Sequence, residues 1–368
     1  MQENVLLAPL TTLQVGGAAR YFALVGRDDE VREAVQFAKA RELPLFVLGG
    51  GSNLVISDSG FPGLVLKIAI GGIATPSAQN PAGNAVLFSV GAGVNWDDFV
   101  AQAVVQNCAG IECLSGIPGS VGGTPVQNVG AYGQEVADTI ESVRALDLKE
   151  DRIVLLPKPA CRFRYRSSIF NGTEPGRYII LRVNYRLKRG GAPALKYAEL
   201  QKHFAQHSEP VRRAPQPADP TQPALAEVRA AVLEIRRNKG MVIVPGDPDC
   251  RSAGSFFKNP VLSEAEFQEL SARAASRGLE IPSYPALDAQ HKVSAAWLVE
   301  HSGFSKGYVL GSAGISHKHA LALINRGDAT ASDIIALKDE ILRAVQAGWN
   351  ISLEPEPVFV GFSSSNQP

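Results

Sequence analysis

The sequence lacks the features that mark nucleic-acid-binding, membrane and secreted proteins. Its 36 basic and 36 acidic side chains give a formal net charge of zero, so no general positive surface is available for nucleic acid. No apolar stretch approaches the roughly 18 residues that span a bilayer, and the N-terminal stretch MQENVLLAPL lacks the basic segment of a signal peptide. We therefore expect a cytoplasmic protein that binds neither nucleic acid nor membrane.

Cysteine is scarce. The four cysteines, Cys108, Cys113, Cys161 and Cys250, contain no C-x-x-C pair and are too few for a disulfide framework in 368 residues. The pattern predicts buried thiols in a reducing compartment.

Histidine is scarce too, and four of the six residues form two local pairs, His203 with His207 and His317 with His319. No carboxylate or thiol completes either pair at the spacing of a usual zinc site. We therefore predict surface histidines and no bound metal.

The two commonest phosphate-binding motifs are also missing. A P-loop requires Gly-Lys followed by Ser or Thr, and the chain contains no Gly-Lys dipeptide. The Rossmann fingerprint G-x-G-x-x-G is absent because Gly49 and Gly51 lead to Leu54, and Gly91 and Gly93 lead to Trp96. Any nucleotide site must therefore be built in another way.

The chain contains 45% apolar and 20% charged residues, which is ordinary for a globular protein. Its 368 residues exceed the usual size of a domain with a single hydrophobic core. Apolar residues at helical spacing predict helices over 28–42, 225–240 and 330–345. Strict alternation predicts a strand over 178–188 with one wet face. Five prolines between residues 208 and 224 indicate a linker or a long surface loop. Two or three domains are expected.

Glycine is concentrated in two loops, LGGGSNLV at 48–55 and GIPGSVGGTPVQNVGAYGQE at 116–135. Successive backbone N–H groups in such loops can converge on a diphosphate, because a residue without Cβ allows positive φ and a close approach of the main chain. Asn53, Gln127 and Asn128 would be polar partners. The alternative is a pair of tight turns at sheet corners. If the loops form one site, they must lie side by side.

Five motifs, taken in order, resemble those of the UDP-N-acetylenolpyruvoylglucosamine reductase family. They are LGGGSNLV, GIPGSVGGTPVQNVGAYGQE, CRFRYRSSIF, AGSFFKNP and LEPEPVFVGF. The likeness runs from residue 12 to residue 362. It implies an α+β and α/β protein with a vanillyl-alcohol-oxidase-like FAD-binding fold in two parts, and a C-terminal α/β domain for substrate. The expected domains are 1–72, closed by the C-terminal strand within 346–368, then 73–215 and 225–345.

The resemblance implies non-covalent FAD, NADPH as co-substrate and UDP-N-acetylglucosamine enolpyruvate as substrate, in a monomer. No histidine precedes His203, so a histidyl link to the flavin from the FAD-binding half is impossible, whereas a cysteinyl link stays open. The cofactor contacts it implies are Gly49, Gly50, Gly51, Ser52, Asn53, Leu54, Ile117, Pro118, Gly119, Gly122, Gly123, Thr124, Gln127, Asn128, Gly130, Ala131, Tyr132 and Arg166.

Two hydride transfers through one flavin, followed by proton donation, are the chemistry that the resemblance implies. Such a site needs a proton donor and a group that stabilises enolate charge. Ser255 matches the family's proton donor, and Gly254 before it predicts an exposed turn. The S-x-x-K from Ser255 to Lys258 also occurs in penicillin-recognising enzymes, but their S-D-N and K-T-G are absent, which excludes acyl transfer.

Arg166 matches the family's arginine for the enolate and carboxylate, to which a planar guanidinium is well suited. Arg162, Arg164 and Arg166 would share one face of a regular strand, so spacing alone does not single out Arg166. A solvated basic strand is the simpler alternative for the other two.

Glu356 matches the family's catalytic glutamate, with Glu354 as a possible decoy on the same strand face. Val358, Val360 and Phe362 would continue that face as an apolar row and place Glu356 at the core end of the strand. Pro357-Val358 stands where relatives commonly have Val-Arg.

Substrate contacts are implied for Tyr165, Tyr197, Arg236, Lys239, Asn259 and His319. Lys239 continues an apolar helix stripe through Val232 and Ile235, an unusual place for an ammonium group unless an anion binds there. Arg236 and Lys239 would bind the diphosphates of the UDP-sugar and NADPH in turn, and Tyr197 resembles a lid tyrosine. A flavin-dependent hydroxy-acid or alcohol oxidase and a non-enzymatic nucleotide-binding module are the competing functions.

Overall fold

Two units, each assembled from separated stretches of the chain, make up the structure. The computed structural model describes residues 1–75, 84–206, 223–286 and 289–362. The first unit comprises Met1–Glu3, Tyr21–Gly50 and Gly63–Asn238, and the second comprises Asn4–Arg20, Gly51–Pro62 and Lys239–Pro368. The chain therefore passes from one unit to the other five times. The domain boundaries that we predict from the sequence remain a prediction, and the proline-rich segment lies outside the described residues up to residue 222.

The helices are α1 Asp28–Ala40, α2 Trp96–Val105, α3 Lys158–Cys161, α4 Ala198–Gln206, α5 Leu225–Asn238, α6 Glu264–Ala275, α7 Ala295–Glu300 and α8 Ala331–Trp349. The strands are β1 Gln2–Leu6, β2 Ala18–Val25, β3 Leu45–Leu48, β4 Leu54–Ile56, β5 Phe61–Ile68, β6 Ile73–Ala74, β7 Ala85–Gly91, β8 Cys108–Ala109, β9 Gly130–Ala131, β10 Gln134–Glu135, β11 Ile140–Asp147, β12 Arg152–Pro157, β13 Tyr178–Arg189, β14 Val261–Leu262, β15 Ser283–Pro285, β16 His291–Val293, β17 Val309–Leu310, β18 Ala313–Ile315, β19 Leu323–Asn325 and β20 Val358–Val360. No helix among the described residues is long and apolar enough to cross a membrane.

The first unit is built on a six-stranded sheet with the order β12-β11-β13-β7-β6, in which β8 also pairs with β13. The predicted alternation in β13 is confirmed, since Ile179, Leu181, Val183, Tyr185 and Leu187 are buried while Arg186 and Lys188 are exposed. Helix α2 packs the Phe99 ring on Phe88 and Tyr185, with ring centroids 5.6 and 5.0 Å away. The second glycine loop packs on this sheet and helix.

A second sheet, with the order β1-β2-β5-β3, carries the first glycine loop. Strand β3 pairs in parallel with β5 and ends at Leu48, directly before the three glycines. The predicted helix over 28–42 is confirmed as α1, which buries Val31, Val35 and Ala38. It begins where the Glu30 carboxylate accepts the N–H groups of Gly26 and Arg27, at 2.7 and 3.2 Å.

Helix α8 and the parallel pair of β20 with β4 belong to the second unit. The predicted α8 is confirmed: Thr330 and Asp333 form a capping box, and Ile334, Leu337, Ile341 and Val345 are buried. Helix α5, in the first unit, buries Val228, Val232 and Ile235, as we expect from the sequence. It ends at Asn238, two residues earlier than predicted, and Gly240 has a φ of +65° that a helix does not allow.

Candidate functional site

Within the first unit, Gly49 and Gly50 of the first glycine loop lie against the second glycine loop. A Cβ built on Gly50 would lie 2.3 Å from the Cα of Gly119, and one built on Gly49 would lie 2.9 Å from the Ser120 hydroxyl. Real Cβ atoms do not come so close to backbone, so Gly50 is required for the two main chains to touch. If the two loops form one site, they must be adjacent. The structure meets this requirement.

The second loop rests on the turn that precedes α2. The N–H groups of Val121 and Gly122 donate to the carbonyls of Val94 and Ala92, at 2.9 and 2.8 Å. A Cβ on Gly122 would lie 2.7 Å from that of Ala92, whereas one on Gly123 would meet no atom within 4 Å. The loop is therefore fixed on one side and open at Gly123, an arrangement that fits a ligand close to the main chain.

Lys67 in β5 is a residue that the sequence analysis missed. Its ammonium group donates to the carbonyl of Gly49, and burial lowers the pKa of the side chain. A partly buried cation beside the first glycine loop fits an anionic diphosphate. The signal in the sequence was a lone lysine inside the apolar run LVLKIAI.

Thr124 and Asn128, two of the predicted cofactor contacts, are buried and bonded within the loop. The Thr124 hydroxyl lies 2.7 Å from the Tyr185 hydroxyl, which anchors the loop to the sheet. The Asn128 amide group donates to the Glu135 carboxylate at 2.7 Å and to the Arg164 carbonyl at 3.1 Å. Both side chains hold the shape of the loop, and their contact with a cofactor remains a prediction.

The basic segment around Arg166 is a turn rather than the regular strand considered from the sequence. Helix α3 ends at Cys161, and both Arg162 and Arg166 have left-handed backbones, with φ of 49° and 53°. Such a conformation is strained for a non-glycine residue and is often found at functional sites. The turn aims the Arg166 guanidinium, whose Nη1 donates to the carbonyl of Gly130 at 3.1 Å. The shared face expected for the three arginines is therefore absent.

Arg236, Tyr132 and Tyr197 form a cluster in the first unit. Burial lowers the pKa of Arg236, against the opposing effect of a hydrogen bond that it donates to Tyr132. Burial also raises the pKa of Tyr132 to about 12, so the phenol remains neutral. The Tyr132 and Tyr197 rings meet edge to face, with centroids 5.4 Å apart. Tyr132, predicted as a cofactor contact, thus lies beside two predicted substrate contacts.

Asp97, in the first turn of α2, links helix α5 to the second glycine loop. Its carboxylate accepts two hydrogen bonds from Arg229 of α5, at 2.6 and 2.7 Å, and one from the Gly116 N–H at 2.6 Å. Burial alone would raise the pKa of Asp97, but these bonds and the charges of Arg229 and Arg236 lower it below its ordinary value. Arg229 and Arg236 are two helical turns apart on one face of α5. The sequence analysis missed this ion pair.

Ser255 lies on a short segment of the second unit that is held on both sides by backbone hydrogen bonds. The N–H of Phe256 donates to the carbonyl of Leu321 at 2.8 Å, and the Phe256 carbonyl accepts from the N–H of Glu356 at 2.9 Å. The predicted turn is present, with a φ of +76° at Gly254, but Ser255 is half-buried rather than exposed. The structure thus pairs the residue after Ser255 with Glu356 through the backbone.

The predicted strand face through Glu354, Glu356 and Val358 is wrong. Strand β20 begins only at Val358, which is 48% exposed, while Pro357 is buried. Residues 354–356 pair instead with residues 256–258. Proline lacks an N–H group and disfavours a regular ladder, so the alternation is interrupted at this point.

Asn53, in the second unit, lies beside Glu356. Its side chain donates to the Glu356 carbonyl at 3.1 Å, and its own carbonyl accepts from the N–H of Val358 at 3.0 Å. Asn53 therefore holds the backbone of the predicted catalytic glutamate.

His319 and Asn259 have side-chain bonds that set their chemistry. The Nδ1 atom of His319 accepts the N–H of Leu321 at 3.0 Å, so a neutral ring carries its proton on Nε2. The Asn259 oxygen accepts the N–H of Ala295, the first residue of α7, at 2.9 Å, which leaves its amide nitrogen as a donor. Each can therefore present an N–H group to an anionic or carbonyl ligand.

The four thiols are buried, as the sequence predicts, whereas among the paired histidines His317 is exposed, His203 and His319 are half-buried, and His207 lies outside the described residues. All four cysteines are free and buried, and burial raises the pKa of Cys113 and of Cys161 to about 12. A thiolate for a flavin link is therefore disfavoured at these two positions. Asp249 lies 3.5 Å from His317, but the described residues contain no group of three potential metal ligands.

The chain is similar to known proteins over nearly its whole length. Two family models match it: an FAD binding domain at residues 19–155, and the C-terminal domain of UDP-N-acetylenolpyruvoylglucosamine reductase at residues 247–360. UDP-N-acetylenolpyruvoylglucosamine reductase from Thermobifida fusca is 44% identical over 98% of both chains. The enzyme of that name from Streptomyces avermitilis is 46% identical over 96% of this chain and 93% of its own.

A solved structure agrees with these sequence matches. UDP-N-acetylenolpyruvylglucosamine reductase from Thermus caldophilus matches with a TM-score of 0.63 at 27% identity, over 97% of this chain and 98% of the other. The predicted fold class, an FAD-binding fold followed by a C-terminal α/β domain, is confirmed.

Proposed function

Because the chain belongs to the UDP-N-acetylenolpyruvoylglucosamine reductase family, whose members are FAD-dependent oxidoreductases, we propose that it reduces UDP-N-acetylglucosamine enolpyruvate to UDP-N-acetylmuramate with NADPH. The geometric observation that carries the proposal is the backbone pairing of Phe256 with Glu356. This pairing brings the backbone beside Ser255 close to the backbone of Glu356, which supports a shared site for the expected proton donor and the expected carboxylate.

FAD, when bound, supplies the two-electron relay between NADPH and the enolpyruvyl group. We assign its diphosphate to the two glycine loops, with Gly50 and Gly119 in contact, Gly123 open and Lys67 beside Gly49. Backbone N–H groups and one ammonium group would offset its negative charge. We expect a dissociable cofactor, because burial raises the pKa of the Cys113 and Cys161 thiols and so disfavours a covalent link to either.

Ser255 would donate the proton that completes the product. The backbone beside it is fixed by the bonds of Phe256 to Leu321 and Glu356, which limits where the hydroxyl can lie. Glu356 would act through its carboxylate, whose backbone is held by Asn53. Arg166 would bind the substrate carboxylate and the enolate charge, with its guanidinium already oriented by the Gly130 carbonyl.

Arg236 and Lys239 would bind the diphosphate groups of the two ligands that enter in turn. Tyr197 would cover bound ligand, while Tyr165, Asn259 and His319 would contact it. Arg236 is buried and therefore interacts more strongly with an anion than an exposed arginine would. For the other cofactor contacts that the resemblance implies, we propose contact with FAD.

Replacing Lys239 with alanine should raise the KM for both NADPH and the UDP-linked substrate. A hydrogen bond to a charged group contributes about 1.5–3 kcal/mol, so we expect a rise of about tenfold or more, with little change in kcat. The exposed neighbour Arg237 provides the matched control, since Arg237→Ala removes a charge of the same sign. Unchanged KM values for both ligands in Lys239→Ala would exclude the phosphate role.

Gly123→Ala tests whether the diphosphate of FAD lies against Gly123. The added methyl group meets no protein atom within 4 Å, so the melting temperature of the FAD-free protein should not change. FAD affinity should fall about tenfold, within the 1–3 kcal/mol that overpacking costs. Equal FAD affinity in the variant and the wild type would mean that the diphosphate does not approach Gly123.

The function as a whole is tested by absorption spectroscopy. The purified protein should show flavin bands, one of them near ~450 nm, that NADPH bleaches without oxygen and UDP-N-acetylglucosamine enolpyruvate restores. Rapid recovery with oxygen and slow recovery with the enolpyruvyl substrate would instead indicate an oxidase. A colourless protein that cannot take up FAD would indicate a nucleotide-binding module.

We propose further that the protein is a cytoplasmic monomer that serves cell-wall synthesis, and through it cell shape and division. Four free, buried thiols support a reducing compartment. The three-domain division at residues 72, 215 and 345 is part of the same proposal.

A further inference from the structure

Glu112 is a fully buried carboxylate in the turn before the second glycine loop, and no step of the proposed reaction uses it. One oxygen accepts the N–H of Gly110 at 2.7 Å, and the other accepts the Gln134 amide at 2.8 Å and the N–H of Ala194 at 2.9 Å. Burying a carboxylate is costly unless it is well hydrogen-bonded, so these three uncharged donors are essential to it. Glu112 therefore ties three separate segments together.

Ala194 is held at both of its backbone groups. Its N–H donates to Glu112, and its carbonyl accepts the Cys113 thiol at 3.1 Å. The Gln134 oxygen in turn accepts the N–H of Cys113 at 2.8 Å. We call Glu112, Cys113, Gln134 and Ala194 the Glu112 clamp.

Tyr197 follows the clamp by three residues and directly precedes α4. It is 43% exposed, and its ring meets the ring of Tyr132. A Cβ on Gly133 would lie 3.3 Å from the Cβ of Lys196, so the two backbones run close together. The segment 194–197 thus lies along the loop 132–134. The Glu112 clamp fixes this segment at its first residue, Ala194.

We propose that Glu112 is a positioning residue for ligand binding, which acts by fixing the backbone at Ala194 so that Tyr197 meets the UDP-linked substrate and NADPH. The inference rests on the proposed function, in which Tyr197 covers the bound ligand. A fixed anchor reduces the number of conformations that Tyr197 must lose on binding, and this improves affinity without any contact between the anchor and the ligand.

Glu112→Gln is the sharpest test, because it keeps the shape and changes one oxygen into a donor. In either orientation the new NH₂ group faces a donor, either the N–H of Gly110 or those of Ala194 and Gln134. The clamp should open. We expect the KM for both ligands to rise about tenfold while kcat stays within about twofold, since saturating ligand restores the closed state.

The Tyr197→Ala background shows whether Glu112 acts through Tyr197. There, Glu112→Gln should change either KM by less than about twofold, because the side chain that it positions is gone. An equal rise in both backgrounds would overturn the proposal. Asp147→Asn is the control, another buried carboxylate that accepts backbone N–H groups, here of Lys149 and Glu150, although it also pairs with Arg177; it should leave both KM values at wild-type level.

Hydrogen exchange gives a readout that needs no turnover. Amides in the peptide over residues 192–197 should exchange at least about tenfold faster in Glu112→Gln, and NADPH should slow them in the wild type. Unchanged exchange together with unchanged KM would overturn the proposal. Because exchange is independent of catalysis, a wild-type protein that fails to reduce the enolpyruvyl substrate would refute the proposed function alone.

Cys113→Ala provides a second variant if Glu112→Gln does not fold, as judged by thermal denaturation. It removes the bond from the thiol to the Ala194 carbonyl and keeps the backbone bond of Cys113 to Gln134. We expect a rise of about threefold in the KM for both ligands, the effect of one ordinary hydrogen bond, which again disappears in the Tyr197→Ala background. Wild-type KM values in Cys113→Ala would count against the clamp.

Discussion

Replacing Ser255 with alanine should leave reduction by NADPH within about twofold of the wild-type rate and slow re-oxidation by the enolpyruvyl substrate at least ~10²-fold, the low end for loss of a general acid. The two half-reactions differ in this way because only the second requires a proton from the hydroxyl group. The backbone bonds of Phe256 do not involve the Ser255 side chain, so the variant keeps its local structure. Stopped-flow absorbance at the flavin bands measures both steps separately.

Ser252 provides the control for this experiment. It is a buried serine three residues earlier on the same segment, and its hydroxyl accepts a turn hydrogen bond from the N–H of Gly254 at 3.3 Å. Ser252→Ala should leave both half-reactions within about threefold of the wild-type rates. Equal slowing of both half-reactions in Ser255→Ala would show that Ser255 supports the fold or the cofactor rather than proton transfer.

Replacing Gly50 with alanine should remove FAD from the enzyme. The new methyl group would lie 2.3 Å from the Cα of Gly119, so the two loops would have to part by more than an ångström. We expect FAD affinity to fall about 100-fold, the upper end of what overpacking costs, and the protein to purify largely without colour. Titration of the FAD-free protein with FAD measures the loss.

Gly71→Ala is the matched control, because a Cβ there meets no atom within 4 Å and the backbone is not left-handed. Its FAD affinity should remain within about twofold of the wild-type value, since nothing has to move. Wild-type affinity in Gly50→Ala, or an equal loss in Gly71→Ala, would contradict the assignment of the diphosphate to the touching loops.

The regular elements could be predicted from the sequence where one local pattern determined them. Helix α8 combines a capping box at Thr330 with an apolar stripe, and β13 alternates between buried and more exposed residues from Leu181 to Lys188, after an additional buried residue at Ile180. In both cases the buried face follows from the spacing, because a single period persists over about eight residues or more.

The C-terminal segment shows where such spacing fails. Counting every second residue from Glu354 assumed one strand, but residues 354–356 and 358–360 pair with different partners on either side of Pro357. The turn at Arg166 is a second case, because nothing in the sequence marks Arg162 or Arg166 as left-handed. Tertiary pairing decides both, and one sequence does not show it.

The site was predictable only in its motifs. The glycine loops and the serine segment stand out by composition and resemblance, whereas their supports are pairs that the chain brings together from afar. Lys67 and Gly49 are 18 residues apart, Glu112 and Ala194 are 82 apart, and Asp97 and Arg229 are 132 apart. A charged residue in an apolar run hints at such a role, but it does not identify the partner.

The parallel pair of β4 with β20 has a consequence for biosynthesis. Leu54 emerges from the ribosome about 300 residues before its partner Val358, so at 5–20 residues per second β4 waits roughly 15–60 s for the strand that completes its sheet. Its neighbours in the second unit's interior, Leu13 and Val15, wait with it. The nascent chain therefore carries an uncovered apolar edge through most of translation, which makes it a natural client for chaperones that shield growing polypeptides.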